Sequence, residues 1–569
     1  LAVLLGERLL PVRQIGIERS RFMGKRSING RTKGALCLVL LILGCAVSGC
    51  RSGQVREPFP PSSEEPGTEP GVVDLNWYIN YSWFATVWGD SEVARAITDA
   101  TGVSVHYQTP KGDESEKMDA MIAADTLPDL VTLGWSEKQN YDMIEKGQVW
   151  ALNELADQYD PAFYGELDEN VVSWYKQPDG NLYGYPNSFY TPEDYRTEKI
   201  SSNQNFMVRK DIYEAIGSPD MSTPEGFCDA VRKAASQFPE VDGEPLIPIG
   251  AEEFTSEGCN SFGPYLQSFL AVPYEKSGRY YDRNTDPDFL QWLKVFRQLG
   301  EEGYLKDEIF IDRRAQINEK LAKGQYFCLF FQASDIMNQQ RMLSERNPDS
   351  VYMAVKGPAN SRGDDPELPV SGIYGWTVTY ISKNCKDPEK ALELLQYLIS
   401  EEGQKMVCLG VEGTMYDMVD GKACTKPEVK ELLYSDRKAY DERYGADNTY
   451  WMLQNNAVQS QWKEESDYAI RQLEEWTYPY TVYTAQYSIH FGSDREGMDL
   501  HKRQQKIWGE TLPKLLLSED EAEFDRILND YLQVRDRNDY DGYTAKLDAL
   551  YNKNKEKLGI EDEEGFQKS

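Results

Sequence analysis

Histidine is scarce in this chain, with three residues in 569. His106, His490 and His501 lie too far apart in sequence to suggest a metal site or a Ser-His-Asp arrangement. No HExxH, GxSxG, GxGxxG or phosphate-loop pattern occurs, so the motif-bearing enzyme classes find no foothold. No CxxC pair occurs either, which excludes a zinc site of that type. Basic residues are outnumbered: 61 Lys and Arg stand against 94 Asp and Glu, for a formal charge of −33. Nucleic acid selects basic surfaces, so that partner is not expected. Long apolar runs are also missing, because the longest is about 15 residues and a membrane span needs ~20. The many acids offer countless carboxylate pairs, yet no spacing singles out the two that a glycoside hydrolase uses. No catalytic residue, cofactor or metal is therefore expected.

That short apolar run, Ala35 to Ser48, follows Lys25, Arg26, Arg31 and Lys33 and ends in Val47-Ser48-Gly49-Cys50. A basic region, an apolar region and small residues at the end make a secretory signal. The last four residues resemble the bacterial lipobox, which implies cleavage before Cys50 and lipid on its sulfur. Two or three acyl chains would hold the protein on the outer face of a membrane, since one binds only marginally. Residues 1–22, upstream of Met23, read as an extension of the gene model, and 23–49 as the signal. Residues 50–71 carry Pro58, Pro60, Pro61, Pro66 and Pro70 and read as a flexible tether. Without residues 1–49 the chain has 53 basic and 92 acidic residues, a formal charge of −39.

The body that follows, about Val72 to Gly559, is too long for one core and suggests two or more domains. Its six cysteines, Cys228, Cys259, Cys328, Cys385, Cys408 and Cys424, are widely spaced. Buried free thiols fit them better than a disulfide framework. Aromatics are abundant, with 36 Tyr and 12 Trp, and such rings offer flat apolar faces with a polar handle. The body opens with a strand from Val72 to Ile79. A helix capped by Asp90 or Ser91 and ended by Gly102 comes next, carrying Val93, Ala96, Ile97 and Ala100 on one face. A strand at 103–107, a helix at 117–124 and a buried strand at 130–133 complete the unit. This alternation specifies a parallel doubly wound sheet. Ligands of such sheets sit beyond the carboxyl ends of the strands, here at Asn80 to Phe84 and Gly134 to Ser136.

The stretch "LNWYINYSWFATVWGDSEVARAITDATGVSVHY…LPDLVTLGWS" resembles the start of extracellular solute-binding proteins of the maltodextrin-binding type. The resemblance continues in order through Tyr183-Gly184-Tyr185-Pro186, "NFMVRKDIYEAIGSPDMSTPEGFCDAVRKAA", "GQYFCLFFQASD", "GWTVTYISKNCKDPEKALELLQYLISEEGQKM" and "GVEGTMYDMVDGK". With its long acidic helical tail the chain looks like the large lipoprotein subgroup of Gram-positive bacteria. Two departures keep ligand identity from being carried over. Gln332-Ala333-Ser334-Asp335 stands where maltodextrin binders often have Trp, and Thr223-Pro224 replaces the usual Thr-Trp. Residues 238–245 are too short for the calcium loop of some relatives. In the "GWTVTYISKN…" segment, Asp387 suits an N-cap and Pro388 the first helical position, with Gly403 as the expected end.

The resemblance implies an α/β, two-lobed, type II binding-protein fold with doubly wound sheets, a ligand cleft between lobes and a helical C-terminal extension. Lobe 1 is expected at 72–185 plus about 372–412. Lobe 2 and the helical region are expected at 186–371 plus about 413–559, followed by an acidic tail at 560–569. The implied function is a lipid-anchored receptor of an ABC importer that captures a carbohydrate of oligosaccharide size and delivers it to permease subunits as a monomer. A peptide or signalling-ligand receptor of the same fold and a secreted glycan-degrading enzyme are the alternatives. The expected ligand contacts are Trp83 and Trp135 from early loops, Tyr185 at a crossing, Glu253 and Asp335 from lobe 2, and Trp376 where the chain re-enters lobe 1.

Overall fold

The computed structural model describes residues 71–560, and Cys50 with its flanking leader and tether lies outside the described residues. Nine strands build two main sheets. They are β1 Val73–Ile79, β2 Val103–Gln108, β3 Leu130–Gly134, β4 Gly184–Pro186, β5 Gln204–Arg209, β6 Ile247–Gly250, β7 Tyr326–Gln332, β8 Tyr352–Ala354 and β9 Thr377–Ile381. The first sheet has the order β2-β1-β3-β9-β4 and the second β8-β5-β7-β6.

The expected parallel unit is present, because β1 pairs in parallel with both β2 and β3. Helices Glu92–Thr101 and Glu114–Ala124 make the crossovers. Ser91 caps the first through its side chain, and Gly102 ends it in the left-handed region at φ 68°, where glycine carries no Cβ penalty. Strand β1 shows why both faces need helices. Leu75, Trp77 and Ile79 enter one core while Tyr78 enters the other, as a period of two demands. Strand β9 returns antiparallel beside β3. Trp77 Nε1 donates to Thr132 Oγ1 at 2.8 Å, and Thr132 Oγ1 bonds Thr379 Oγ1 at 2.8 Å. This buried polar chain stitches β1, β3 and β9 together with its donors and acceptors satisfied. The second sheet is covered likewise, with Phe206, Val208 and Phe330 facing one core and Met207, Leu329 and Phe331 the other.

The chain passes from the first pair of cores to the second between Ile200 and Phe206, and returns between Leu368 and Val370. It leaves again between Leu453 and Ala469, and touches the first core once more at Tyr483 and Ala485. Residues 413–453 belong with the first lobe, which corrects the expected placement in the second. Val429, Tyr440, Tyr444, Tyr450 and Met452 all enter the first core. Tyr450 Oη bonds Ser91 Oγ and donates to the carbonyl of Trp88, both at 3.0 Å. The apolar side of helix Glu92–Thr101 is long enough to need this cover. The C-terminal helices Arg495–Leu516 and Glu521–Arg537 join the second core through Leu512, Leu515, Leu516 and Phe524, while Tyr540–Leu558 packs on Leu500 through Tyr543 and Leu547 and reaches the first core at Leu558.

One helix differs from expectation. Asp387 caps the helix Pro388–Ile399 as its sequence suggests, but Gly403 does not end it. A second helix, Glu401–Leu409, starts at once, capped by Ser400 Oγ accepting from Gly403 N. A Cβ on Gly403 would lie 1.8 Å from the carbonyl oxygen of Tyr397. Glycine therefore permits the sharp turn between the two helices. All six body cysteines are free, and Cys228, Cys259, Cys328 and Cys408 are buried.

Candidate functional site

The carboxyl ends of β1 and β3 and the amino end of antiparallel β9 meet at one edge of the first sheet. Trp135 N donates to the Trp376 carbonyl at 3.1 Å, and Trp376 N to the Asn187 carbonyl at 3.1 Å. Four rings gather there. Trp83 and Trp376 stack at 6.1 Å with only 5° between their planes. Trp451 lies 4.5 Å from Trp376 and 6.1 Å from Trp83, and Tyr81 lies 5.5 Å from Trp376. Trp83 is 58% exposed and Trp376 41% exposed. A group of large rings left open to water is a costly feature for a surface, and such patches mark binding sites. Two of the expected contacts, Trp83 and Trp376, are brought together here. Trp451 was missed, because it reaches the wall from a short turn at Trp451–Leu453 some 370 residues after Trp83, with no local pattern to mark it.

Acceptors sit beside the wall. Asn80 is 1% exposed. Its Oδ1 accepts from Tyr78 Oη at 3.1 Å, and its Nδ2 donates to Glu137 Oε2 at 2.7 Å. Glu137 Oε1 accepts from Gly134 N at 2.8 Å. A Cβ on Gly134 would come within 2.9 Å of Glu137 Oε1 and 3.2 Å of Tyr81 Oη, so glycine lets the carboxylate close on the strand end. Burial pushes the Glu137 carboxyl up to about 7, and the hydrogen bonds from Gly134 and Asn80 only partly oppose this. Among the described residues no cation pairs with it. Burial and Glu137 together raise the Tyr81 phenol well above its usual value. Neither Asn80 nor Glu137 was expected as an individual contact.

The second lobe presents a matching edge where β6 and β7 end and β5 begins. Glu252, 4% exposed, accepts from Gln332 Nε2 at 3.0 Å. Its carboxyl is pushed up to about 7, chiefly by burial and further by Asp335. The two expected acids, Glu253 and Asp335, lie at this edge and are already ion-paired. Arg313 Nη1 lies 2.5 Å from Glu253 Oε1 and Arg314 Nη2 2.5 Å from Asp335 Oδ2. The first crossing reaches this edge through Asn203, whose Nδ2 donates to Gln332 Oε1 at 2.9 Å and Ser334 Oγ at 3.0 Å. Asn187, which accepts from Trp376 N, lies upstream of this crossing, beyond the helix Pro192–Thr197. The run of chain from Asn187 to Asn203 therefore joins the two edges. Three buried polar atoms at these strand ends, Thr377 Oγ1, Gln204 Oε1 and Asn205 Oδ1, have no partner among the described residues.

Two expected contacts are placed elsewhere. Tyr185 lies in the first core at 2% exposure, and its hydroxyl accepts from Asp168 N at 3.1 Å. The crossing starts after it, so its ring is consumed by packing. Trp135 stacks on Tyr374 at 4.3 Å, with His490 at 5.5 Å. His490 also lies 5.0 Å from Tyr141, and burial lowers its imidazole to about 4. Trp135 is thus at the anticipated end of β3 but committed to a joint with the C-terminal region. Residues 238–245 form a tight hairpin, Glu240–Val241 with Glu244–Pro245. Among the described residues no three His, Cys, Asp or Glu side chains group as metal ligands.

No protein-family model and no curated protein matches the chain. Solved structures do. The alginate-binding protein AlgQ2 without calcium ion superposes with a TM-score of 0.61 at 16% identity, covering 85% of this chain and 99% of that one. The S. pneumoniae ABC-transporter substrate binding protein FusA in complex with kestose gives 0.64 at 15%, covering 84% and 99%. The N-glycan transport solute binding protein NgtS from Streptococcus pneumoniae gives 0.55 at 16%, covering 86% and 100%. Identities this low speak to architecture alone, and they agree with the two sheets and the returning β9: the chain has the two-lobed α/β fold of ABC-transporter solute-binding proteins, extended by C-terminal helices.

Proposed function

We propose that this protein is an extracellular carbohydrate receptor of an ABC importer, binding an oligosaccharide between its lobes and handing it to permease subunits. The observation that carries the proposal is the wall of Tyr81, Trp83, Trp376 and Trp451, with Trp83 and Trp376 open to water, beside buried Asn80 and half-buried Glu137. Flat rings stack on the apolar faces of pyranose or furanose units. Carboxylates and amides accept from their hydroxyls, and a bond to an ionised group is the stronger kind. The neighbours described as binding alginate, kestose and N-glycans support a sugar over a peptide. Glu252, Gln332 and Asp335 on the second lobe would complete the ligand's contacts on closure. Contacts made by both lobes exist only in the closed form, so ligand shifts the hinge equilibrium toward it. The protein acts by binding and motion, without chemistry of its own. Its export and attachment would rest on the lipobox-like residues ending at Cys50, and it would work as a monomer.

Two experiments test this. The protein is incubated with a panel of tri- to hexasaccharides, and bound glycan is recovered and weighed by mass spectrometry, with solution scattering in parallel. Intact glycan and a smaller radius of gyration are expected. Shortened products would make it an enzyme, and no glycan bound at all would refute the carbohydrate assignment. For attachment, Cys50→Ser should release the protein from the membrane or leave its precursor uncleaved. Unchanged attachment with no lipid found by mass spectrometry would refute the anchor.

A further inference from the structure

We infer that this site selects against acidic glycans, so that its ligand is an oligosaccharide free of carboxylates. The inference rests on the carbohydrate reading above and narrows it. It follows from the hydrogen-bond polarity of the two edges. On the first lobe Glu137 is held by Asn80 Nδ2 and Gly134 N, with no cation partner among the described residues. On the second, Glu252 is held by Gln332 Nε2 and likewise makes no ion pair among the described residues. The atoms left without partners include two amide oxygens, Gln204 Oε1 and Asn205 Oδ1. Carboxylates and amide oxygens accept, so the ligand must donate. Sugar hydroxyls donate readily, whereas a uronate carboxylate is acceptor-only when ionised.

The cations of the second-lobe edge do not offset this. Arg313 is paired with Glu253 and Arg314 with Asp335, each at 2.5 Å. Gln332 Nε2 is engaged by Glu252 and Asp335 together. An incoming carboxylate would share these guanidiniums with Glu253 and Asp335 and lie against both acids. Like charges brought together at an interface cost several kcal/mol, and such clashes are a recognised source of specificity. The rings of the wall do not help an anion either, because their faces carry the negative end of the quadrupole.

The test compares two sets of tetrasaccharides by calorimetry at about pH 8, where Glu137 and Glu252 are ionised. The neutral set is cellotetraose, xylotetraose, mannotetraose and nystose, and the acidic set is tetragalacturonate and an alginate tetramer. At least one neutral member should bind, and each acidic member should bind at least about 30-fold more weakly than that one. An acidic tetramer binding as tightly as the best neutral one overturns the inference and leaves the carbohydrate reading standing. Failure of both sets overturns both. Glu137→Gln and Glu252→Gln remove the charge while keeping the shape. Each should narrow the neutral-to-acidic ratio by about threefold or more while melting no lower than wild type. A ratio unchanged in both variants shows that these carboxylates do not discriminate.

Discussion

Glu137 gives the sharpest test of how this site is built. Its carboxyl is raised from 4.5 to about 7 because burial outweighs two donated hydrogen bonds. Below about pH 4.5 the group is protonated in both folded and unfolded chains and contributes nothing to the pH dependence. Between about 4.5 and 7 the unfolded chain ionises while the folded one keeps its proton. The folded state then binds more protons, so stability falls as pH rises through that window and stays low above it. At ~1.4 kcal/mol for each pH unit the full penalty is about 3 kcal/mol, and the partial exposure of the side chain reduces it to about 1–3 kcal/mol. Glu137→Gln removes the titration. Its amide keeps one acceptor for Gly134 N, and a flip of Asn80 lets the other end donate to Asn80 Oδ1 while Tyr78 Oη accepts from Nδ2. Urea midpoints for wild type and variant at about pH 5 and about pH 8 supply the comparison. Relative to wild type, the variant should gain about 1–3 kcal/mol on going from the lower to the higher pH. Glu252 and the histidines titrate in both proteins and cancel in the difference. A variant that loses stability instead would mean that a cation holds Glu137 ionised, and a flat difference would mean that the carboxyl is solvated.

Trp83→Ala and Trp376→Ala should each weaken binding of a neutral oligosaccharide by about 1–3 kcal/mol with little change in melting, whereas Trp135→Ala, stacked between Tyr374 and His490, should lower the melting temperature; equal melting losses for all three would refute the division into wall and joint. His490, lowered to about 4 by burial, stabilises the fold only when neutral. That contribution should fade as pH falls from 6.5 toward 4, and His490→Phe should show a shallower acid-induced loss than wild type in thermal melts. Gly403→Ala places a Cβ 1.8 Å from the Tyr397 carbonyl and should cost roughly 2–4 kcal/mol in urea titration, so wild-type stability would show that the two helices can part freely.

Much of the first lobe was legible because its signals are local. Ser91, Gly102, Asp387 and Pro388 act at helix ends as their chemistry dictates, and the strand-end rule brought attention to the loops that hold Trp83 and Trp135. What failed was non-local. Gly403 looks like a helix stop, but whether a glycine ends one helix or opens the next depends on whether the preceding turn is sharp. Tyr185 resembles a crossing residue, yet the sheet takes one more strand before the chain leaves. Trp451 and Glu137 carry no sequence signature at all. The first reaches the wall only through tertiary packing. The second gains its importance from Gly134, whose missing Cβ makes room for it. Residues 413–453 were assigned to the wrong lobe because order along the chain says nothing of which apolar face needs cover.

Trp135 shows the same limit and adds a constraint on motion. The end of β3 is where this sheet type meets its ligands, and Trp135 is there, but a histidine 355 residues later covers it. The C-terminal region is seated on the second core and also touches the first lobe, where Leu558 packs on the first core. His490 packs on Trp135 and Tyr141. Arg495 Nη2 lies 3.0 Å from Glu145 Oε2 and also pairs with Asp142. Lys557 Nζ donates to the Trp174 carbonyl at 2.8 Å. Exposed ion pairs are worth about 0–1 kcal/mol each and can be exchanged for water as the lobes move. The His490 joint cannot, because opening it would expose three rings at once, and aromatic burial is the larger energy. If the lobes close on a ligand as proposed, the closure of lowest cost turns about an axis close to Trp135 and leaves its stack intact. Trp135, expected as a ligand contact, would then act as a bearing, because its ring is already packed on Tyr374 and His490.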